Sequence, residues 1–154
     1  MSEEEAMVDS QRSNRMLMVE DEAGDARLLQ LAMRQSGFSA DIDHVWDGYE
    51  ALDYLRRVGQ QRQRAPRPDL IVLDLKMPRL SGLDFLALIK QDDDLRAIPV
   101  VAFSSSLLET DVRSAYELGA AGYLIKPADF QELISMVRIL GEYWFKLVRL
   151  PHND

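Results

Sequence analysis

Four stretches of this chain set reactive polar groups directly behind short apolar runs. Glu20-Asp21 follows Met16-Leu17-Met18-Val19, and Asp74 follows Leu70-Ile71-Val72-Leu73. Ser104 follows Ile98 to Phe103, and Lys126 follows Gly122-Tyr123-Leu124-Ile125. Each run reads as a strand buried on both faces. In a doubly wound sheet the carboxyl ends of such strands share one edge, and strands one and three flank the point where the chain reverses its winding. Three carboxylates then become neighbours. Two such charges ~4 Å apart repel by roughly 4 kcal/mol at an effective dielectric of 20. A bound Mg²⁺ offsets this with oxygen ligands and recruits a phosphate oxygen. Lys126 adds a compact cation and Ser104 a hydroxyl donor. A carboxylate nucleophile, a Mg²⁺ site, a lysine and a hydroxyl are the parts needed to form an aspartyl phosphate.

Each of these residues also has a plainer use. Asp74 and Ser104 suit turns, Glu20 and Asp21 suit the positive end of a helix, and Lys126-Pro127 suits any loop. Their arrival at successive strand ends is what singles out the reactive reading.

The elements that must position them alternate along the chain. After the first strand, Ala26, Leu28, Leu29, Leu31, Ala32 and Met33 form a helical stretch ending at Ser36-Gly37. Phe38 to Val45 alternates as an edge strand, and Asp47-Gly48 opens a helix running to Val58. Ser81-Gly82 starts the next helix, Glu109 to Leu118 forms another closed by Gly119, and Asp129 caps the last. Five strands alternating with helices predict an α/β fold, a parallel sheet with helices on both faces. Apolar residues from Phe130 to Val148 recur at helical spacing with no proline before Pro151, so the last helix is expected to reach about Arg149. At 1.5 Å per residue it would be roughly 30 Å long. A five-residue strand spans only ~17 Å, which leaves an overhang carrying Tyr143, Trp144, Phe145, Leu147, Val148 and Leu150. That overhang is expected to make a homodimer or a partner site.

Residues 1–13 are acidic and aperiodic and are expected to be a disordered tail. Residues 14–140 form the folded domain, and 141–154 extend the last helix and end in a short tail. The loop from Gly59 to Pro68 holds Arg62, Arg64 and Arg67, read as a solvated connector because nothing pre-organises them into an anion site. A net charge of −8 argues against a nucleic-acid partner. Cysteine is absent, which removes disulfides and thiolate metal sites. No apolar run approaches the ~20 residues that span a bilayer. The start, Met1-Ser2-Glu3-Glu4-Glu5, is acidic where a signal peptide is basic. These features place the protein in the cytoplasm, away from membranes.

As a set, Val19-Glu20-Asp21, Leu73-Asp74-Leu75-Lys76-Met77-Pro78 with Gly82, Pro99 to Ser104, and Gly122 to Pro127 closely resemble the response-regulator receiver family of two-component signalling. The resemblance covers roughly Arg15 to Leu140. It implies a flavodoxin-like five-stranded sheet in the order 2-1-3-4-5. It implies Asp74 as phosphoacceptor, with Mg²⁺ held by Glu20, Asp21, Asp74 and the Lys76 carbonyl. Ser104 and Lys126 would bind the phosphoryl group, Ser104 and Tyr123 would form the switch, and Lys126-Pro127 would be cis. Glu20 stands where Asp is commoner, and Ser104 where Thr is commoner. Arg27-Leu28-Leu29-Gln30, the Arg-rich loop, Lys126 to Phe130 and Tyr143-Trp144 further resemble single-domain regulators of phytochrome-type histidine kinases, so a sensor kinase of that type is the implied partner. The chain ends at Asp154 with no output domain, so output is expected through protein contacts or onward phosphotransfer. The resemblance also implies a regulator that is not a turnover enzyme but catalyses its own aspartyl phosphorylation and dephosphorylation.

Three rivals fit less well. A haloacid-dehalogenase-like phosphatase needs a second Asp two positions after its nucleophile, where Lys76 stands. A flavodoxin needs a phosphate loop where Glu20-Asp21-Glu22 would repel one. A degenerate receiver serving as a scaffold usually lacks one of the acids or the lysine, and all are present here.

Overall fold

The computed structural model describes residues 14–60 and 66–151. The expected tail at 1–13, together with Arg62 and Arg64, lies outside them. Strands β1 (Arg15–Val19), β2 (Asp41–Val45), β3 (Leu70–Leu73), β4 (Val100–Ser104) and β5 (Gly122–Ile125) alternate with helices α1 (Ala23–Gln35), α2 (Gly48–Gln60), α3 (Gly82–Lys90), α4 (Glu109–Glu117) and α5 (Phe130–Gly141). The sheet order is β2-β1-β3-β4-β5 and every pairing is parallel. This is the doubly wound, flavodoxin-like arrangement, with β1 and β3 adjacent at the centre.

The period of two along the strands sorts the core into two layers. Leu17, Val19, Ile71, Leu73, Val100 and Ala102 face α2, α3 and α4 through Leu52, Leu55, Phe85, Leu86, Ile89 and Ala115. Met16, Met18, Leu70, Val72, Val101 and Phe103 face α1 and α5 through Leu29, Met33, Leu133, Ile134 and Val137. Fully burying one such aliphatic side chain contributes about 1.5–3 kcal/mol, so the central strands are the least deformable part of the molecule.

Local chemistry starts the helices. Glu22 accepts from the Gly24 N–H at 3.0 Å, Ser81 from Asp84 at 3.2 Å and Asp129 from Gln131 at 3.2 Å. Asp47 Oδ1 accepts from Glu50 N at 2.8 Å while Glu50 accepts from the Trp46 N–H at 3.1 Å, a reciprocal cap on α2. Asp47 also binds the guanidinium of Arg79, the one non-glycine residue with positive φ among the described residues, at 66°. That pair ties the loop after β3 to the start of α2.

Two expectations need correction. The last helix stops being α-helical at Gly141, continues as a π-helical segment over Glu142–Leu147, and turns extended at Val148. The widened turn changes the helical phase, so Trp144 and Phe145 pack against the body of the protein and Phe145 meets Phe38 at 5.9 Å between ring centroids. Only part of the expected overhang is therefore free. The Lys126–Pro127 bond is trans, like every peptide bond among the described residues. Trans is the lower-energy form of an X-Pro bond by about 0.5–1 kcal/mol.

Candidate functional site

The strand ladder runs one residue past the strand ends and fixes the backbone of the reactive groups. Glu20 N donates to Val45 O at 3.1 Å, Asp74 N to Val19 O at 3.0 Å, and Lys126 N to Ser104 O at 2.9 Å. The side chains therefore emerge at one edge of the sheet from rigid positions. Gly82 is required here. A Cβ on it would lie 2.2 Å from Asp74 O and 2.6 Å from Leu75 Cα, so only glycine lets α3 start against the backbone that carries Asp74.

Glu20, Asp21 and Asp74 each offer a carboxylate oxygen, and these oxygens lie within 4.8 Å of one another. Glu20 is 3% exposed and Asp74 7%, while Asp21 is the most open of the three. Lys126 Nζ sits on Glu20 Oε1 at 2.6 Å, Asp25 Oδ2 at 2.9 Å and Asp74 Oδ2 at 3.5 Å. Burial is the main force raising Glu20 to about 8. The neighbouring Asp74 adds to it and Lys126 opposes it. Burial also raises Asp74, but hydrogen bonding to Glu20 and the charge of Lys126 pull the other way. Burial thus raises both carboxyls of this pair, and Lys126 lowers both. Burial works against the charge of Lys126, yet its bonds to Glu20 and Asp25 outweigh that and hold its ammonium protonated well above its ordinary range.

Three close carboxylates form an oxygen-only donor set suited to a hard divalent cation. A cation there would offset the repulsion among them. The Asp74 carboxylate, held beside a lysine, can act in its ionised form as a nucleophile toward an electrophilic phosphorus.

The hydroxyl side of the site is built by the segment after β4. Ser104 is fully buried and its Oγ accepts from Ser106 N at 3.1 Å. Tyr123 is half-buried and donates to Ser106 O at 3.0 Å. Ser104 and Tyr123 thus meet through Ser106. Lys76 N approaches Asp74 Oδ1 at 3.4 Å, while its ammonium reaches Asp111 Oδ2 on α4 at 3.2 Å. All the residues singled out in the sequence therefore gather at this edge.

Two further residues join them that the sequence reading missed. Asp25 lies in the first turn of α1, and it reaches the site through the angle at which that helix leaves β1. Asp111 depends on the path of the β4–α4 loop, for which no local pattern exists.

The sequence model of the response regulator receiver domain matches residues 16–138. Response regulator Rcp1 of Synechocystis sp. is 38% identical over 136 residues, which are 88% of this chain and 92% of that protein. The structure of Rcp1 in its Mn²⁺-bound form superposes with a TM-score of 0.79 at 37% identity, over 90% of this chain and 99% of that one. The phosphorylated cyanobacterial phytochrome response regulator RcpA gives 0.83 at 38% identity, over 92% and 100% of the two chains. The bacteriophytochrome response regulator RtBRR gives 0.70 at 39% identity, over 91% and 85%.

Proposed function

Since this chain belongs to the response-regulator receiver family, we propose that Asp74 accepts a phosphoryl group from the phosphohistidine of a sensor kinase. In this reading an Asp74 oxygen attacks phosphorus as the P–N bond to the imidazole breaks, and the departing nitrogen takes up a proton. The carrying observation is the placement of Asp74. It is a buried carboxylate at the end of the central strand, between a lysine and two further carboxylates.

Lys126 pairs with the incoming phosphoryl oxygens, and Ser104 turns its hydroxyl onto them. Tyr123 follows Ser104 as the switch. Glu20, Asp21, Asp74 and the Lys76 carbonyl would hold the divalent cation, for which Mg²⁺ is the proposed ion. When bound, it supplies charge neutralisation for the carboxylates and the phosphoryl group. Lys126, now paired with Glu20, Asp25 and Asp74, lies within reach of a phosphoryl group on Asp74. The protein catalyses its own phosphorylation and hydrolysis without turning over a separate substrate.

The kinase is proposed to be of the phytochrome type, supported by what RcpA and RtBRR are. Output is through protein contacts or onward phosphotransfer, in the cytoplasm where ATP charges such kinases. No helix among the described residues is long and apolar enough to cross a membrane. Residues 14–140 form the receiver and 141–154 its extension, whose helical part serves a homodimer.

The test is labelling by the cognate kinase or a small phosphodonor in Mg²⁺. Asp74→Asn, which keeps the volume and removes the nucleophile, should abolish labelling. Full labelling of that variant would overturn the assignment.

A further inference from the structure

We propose that Asp111 is a positioning residue that holds the Lys76 ammonium on the first turn of α4, away from Asp74, and so shortens the life of the phosphoryl group. The proposal rests on the reading of Asp74 as phosphoacceptor.

Lys76 is two residues beyond Asp74, and its N–H already faces that carboxylate at 3.4 Å. Its side chain is 61% exposed and is a flexible stem that can point either way. It points to Asp111, whose side chain is only 13% exposed and is fixed by a second bond from Ser106 Oγ. The anchor is therefore rigid and the cation mobile.

Phosphorylation changes the competition. A phosphoryl group carries about −1.5 to −2 charges and three strong acceptor oxygens, against a single charge on Asp111. The Lys76–Asp111 pair is half-covered, with an open ammonium on a mostly buried carboxylate, so it still competes for the lysine. Asp111 also loses little when the lysine leaves. It keeps the Ser106 hydroxyl, and it lies in the first turn of a helix with no side-chain cap at Leu108, where the dipole favours an anion. The same two interactions, Ser106 first and Lys76 second, hold Asp111 below the usual carboxylate range.

Lys76 thus divides its time between Asp111 and the phosphoryl group. When on the phosphoryl group it covers the face that water must approach. Hydrolysis needs a water oxygen to attack phosphorus as the bond to Asp74 breaks, releasing phosphate and a proton. Asp111 therefore acts on hydrolysis only through Lys76. Since Ser106 also contacts Ser104 and Tyr123, the exchange alters the charge balance beside both switch residues.

A double-mutant cycle on phosphoryl decay tests this. Full-length wild type, Asp111→Asn, Lys76→Gln and the double variant are labelled with acetyl phosphate in Mg²⁺, freed of donor, and followed over time. Asp111→Asn should slow decay at least threefold when Lys76 is present and leave it unchanged when Gln occupies position 76. Asp111→Glu, which retains the charge, should decay like wild type. No slowing, or equal slowing in both backgrounds, overturns the proposal, since a purely structural effect of Asp111 would not depend on Lys76. Labelling of Asp74→Asn in parallel separates a failure of the phosphoacceptor reading from a failure of this one.

Discussion

Burial and the adjacent Asp74 push Glu20 from its ordinary 4.5 to about 8, so folding near neutral pH leaves this carboxyl protonated. In the unfolded chain Glu20 ionises near 4.5. Between the two values the folded state binds the extra proton, and the stability gained from it is full below 4.5 and is lost as pH rises toward 8. Asp74, also raised, works in the same direction. Metal-free protein should therefore lose stability in urea between pH 5 and pH 8, by an amount on the order of a few kcal/mol, and Glu20→Gln should flatten most of that slope. A divalent cation competes with the same proton, so Mg²⁺ should bind more tightly at pH 8 than at pH 6, with proton uptake by buffer measurable in calorimetry. Equal affinity at the two pH values would exclude Glu20 from the cation site. Gly82 acts at the same scale. Its missing Cβ would collide with backbone atoms of Asp74 and Leu75, which have no freedom to rotate aside. Gly82→Ala should cost about 1–3 kcal/mol and slow phosphorylation of Asp74, read by denaturation and by labelling.

At the scale of elements, the parts of the fold legible in the sequence were those written in local pattern. The unbroken run Leu70–Leu73 is β3 to the residue, because burial on both faces demands continuous apolarity and Asp74 ends it. Asp129 reads as a cap and is one, accepting from Gln131 N. Asp129→Ala should cost about 1 kcal/mol in thermal or urea unfolding without changing phosphorylation by a small donor. The edge strand was expected from Phe38 but begins at Asp41, because Phe38 turns inward to meet Gly141 and Phe145 instead of pairing with β1. The π-helical segment was not legible, since the spacing of Leu140, Trp144, Leu147 and Val148 fits an α-helix as well. What selects the wider turn is tertiary contact with Phe38, a residue roughly a hundred positions away. The candidate site divides in the same way. Glu20, Asp21, Asp74, Ser104 and Lys126 are strand-end residues, and strand ends are visible in sequence. Asp25 and Asp111 reach the site only through the angle at which α1 and α4 leave their loops.

For the whole molecule, the distribution of exposed apolar surface bears on assembly. Ile139 is 65% exposed and Leu147 75%, with Tyr143 between them in sequence and also exposed. Ile139 and Tyr143 line an apolar groove of about 830 Å³ between the end of β5 and α5, and Leu147 is exposed further along the chain. Packing of Trp144 and Phe145 inward reduces the free surface expected of a straight helix but leaves Ile139, Tyr143 and Leu147 exposed. Glu132 lines the groove, while Arg138 and Lys146 reach the α1 side, onto Ser36 O and the Phe38 ring. An exposed apolar surface of this kind can pair with a copy of itself despite the overall charge of −8. A two-fold dimer is the common closed form of such self-complementary surfaces. Sedimentation of the full-length protein at tens of micromolar should therefore show a dimer, and the double variant Ile139→Lys, Leu147→Lys should be monomeric. Both residues point to solvent, so the variant should keep its melting temperature and its labelling by acetyl phosphate. A wild-type protein that sediments as a monomer at that concentration would reject the dimer and leave the stripe as a surface for a different protein.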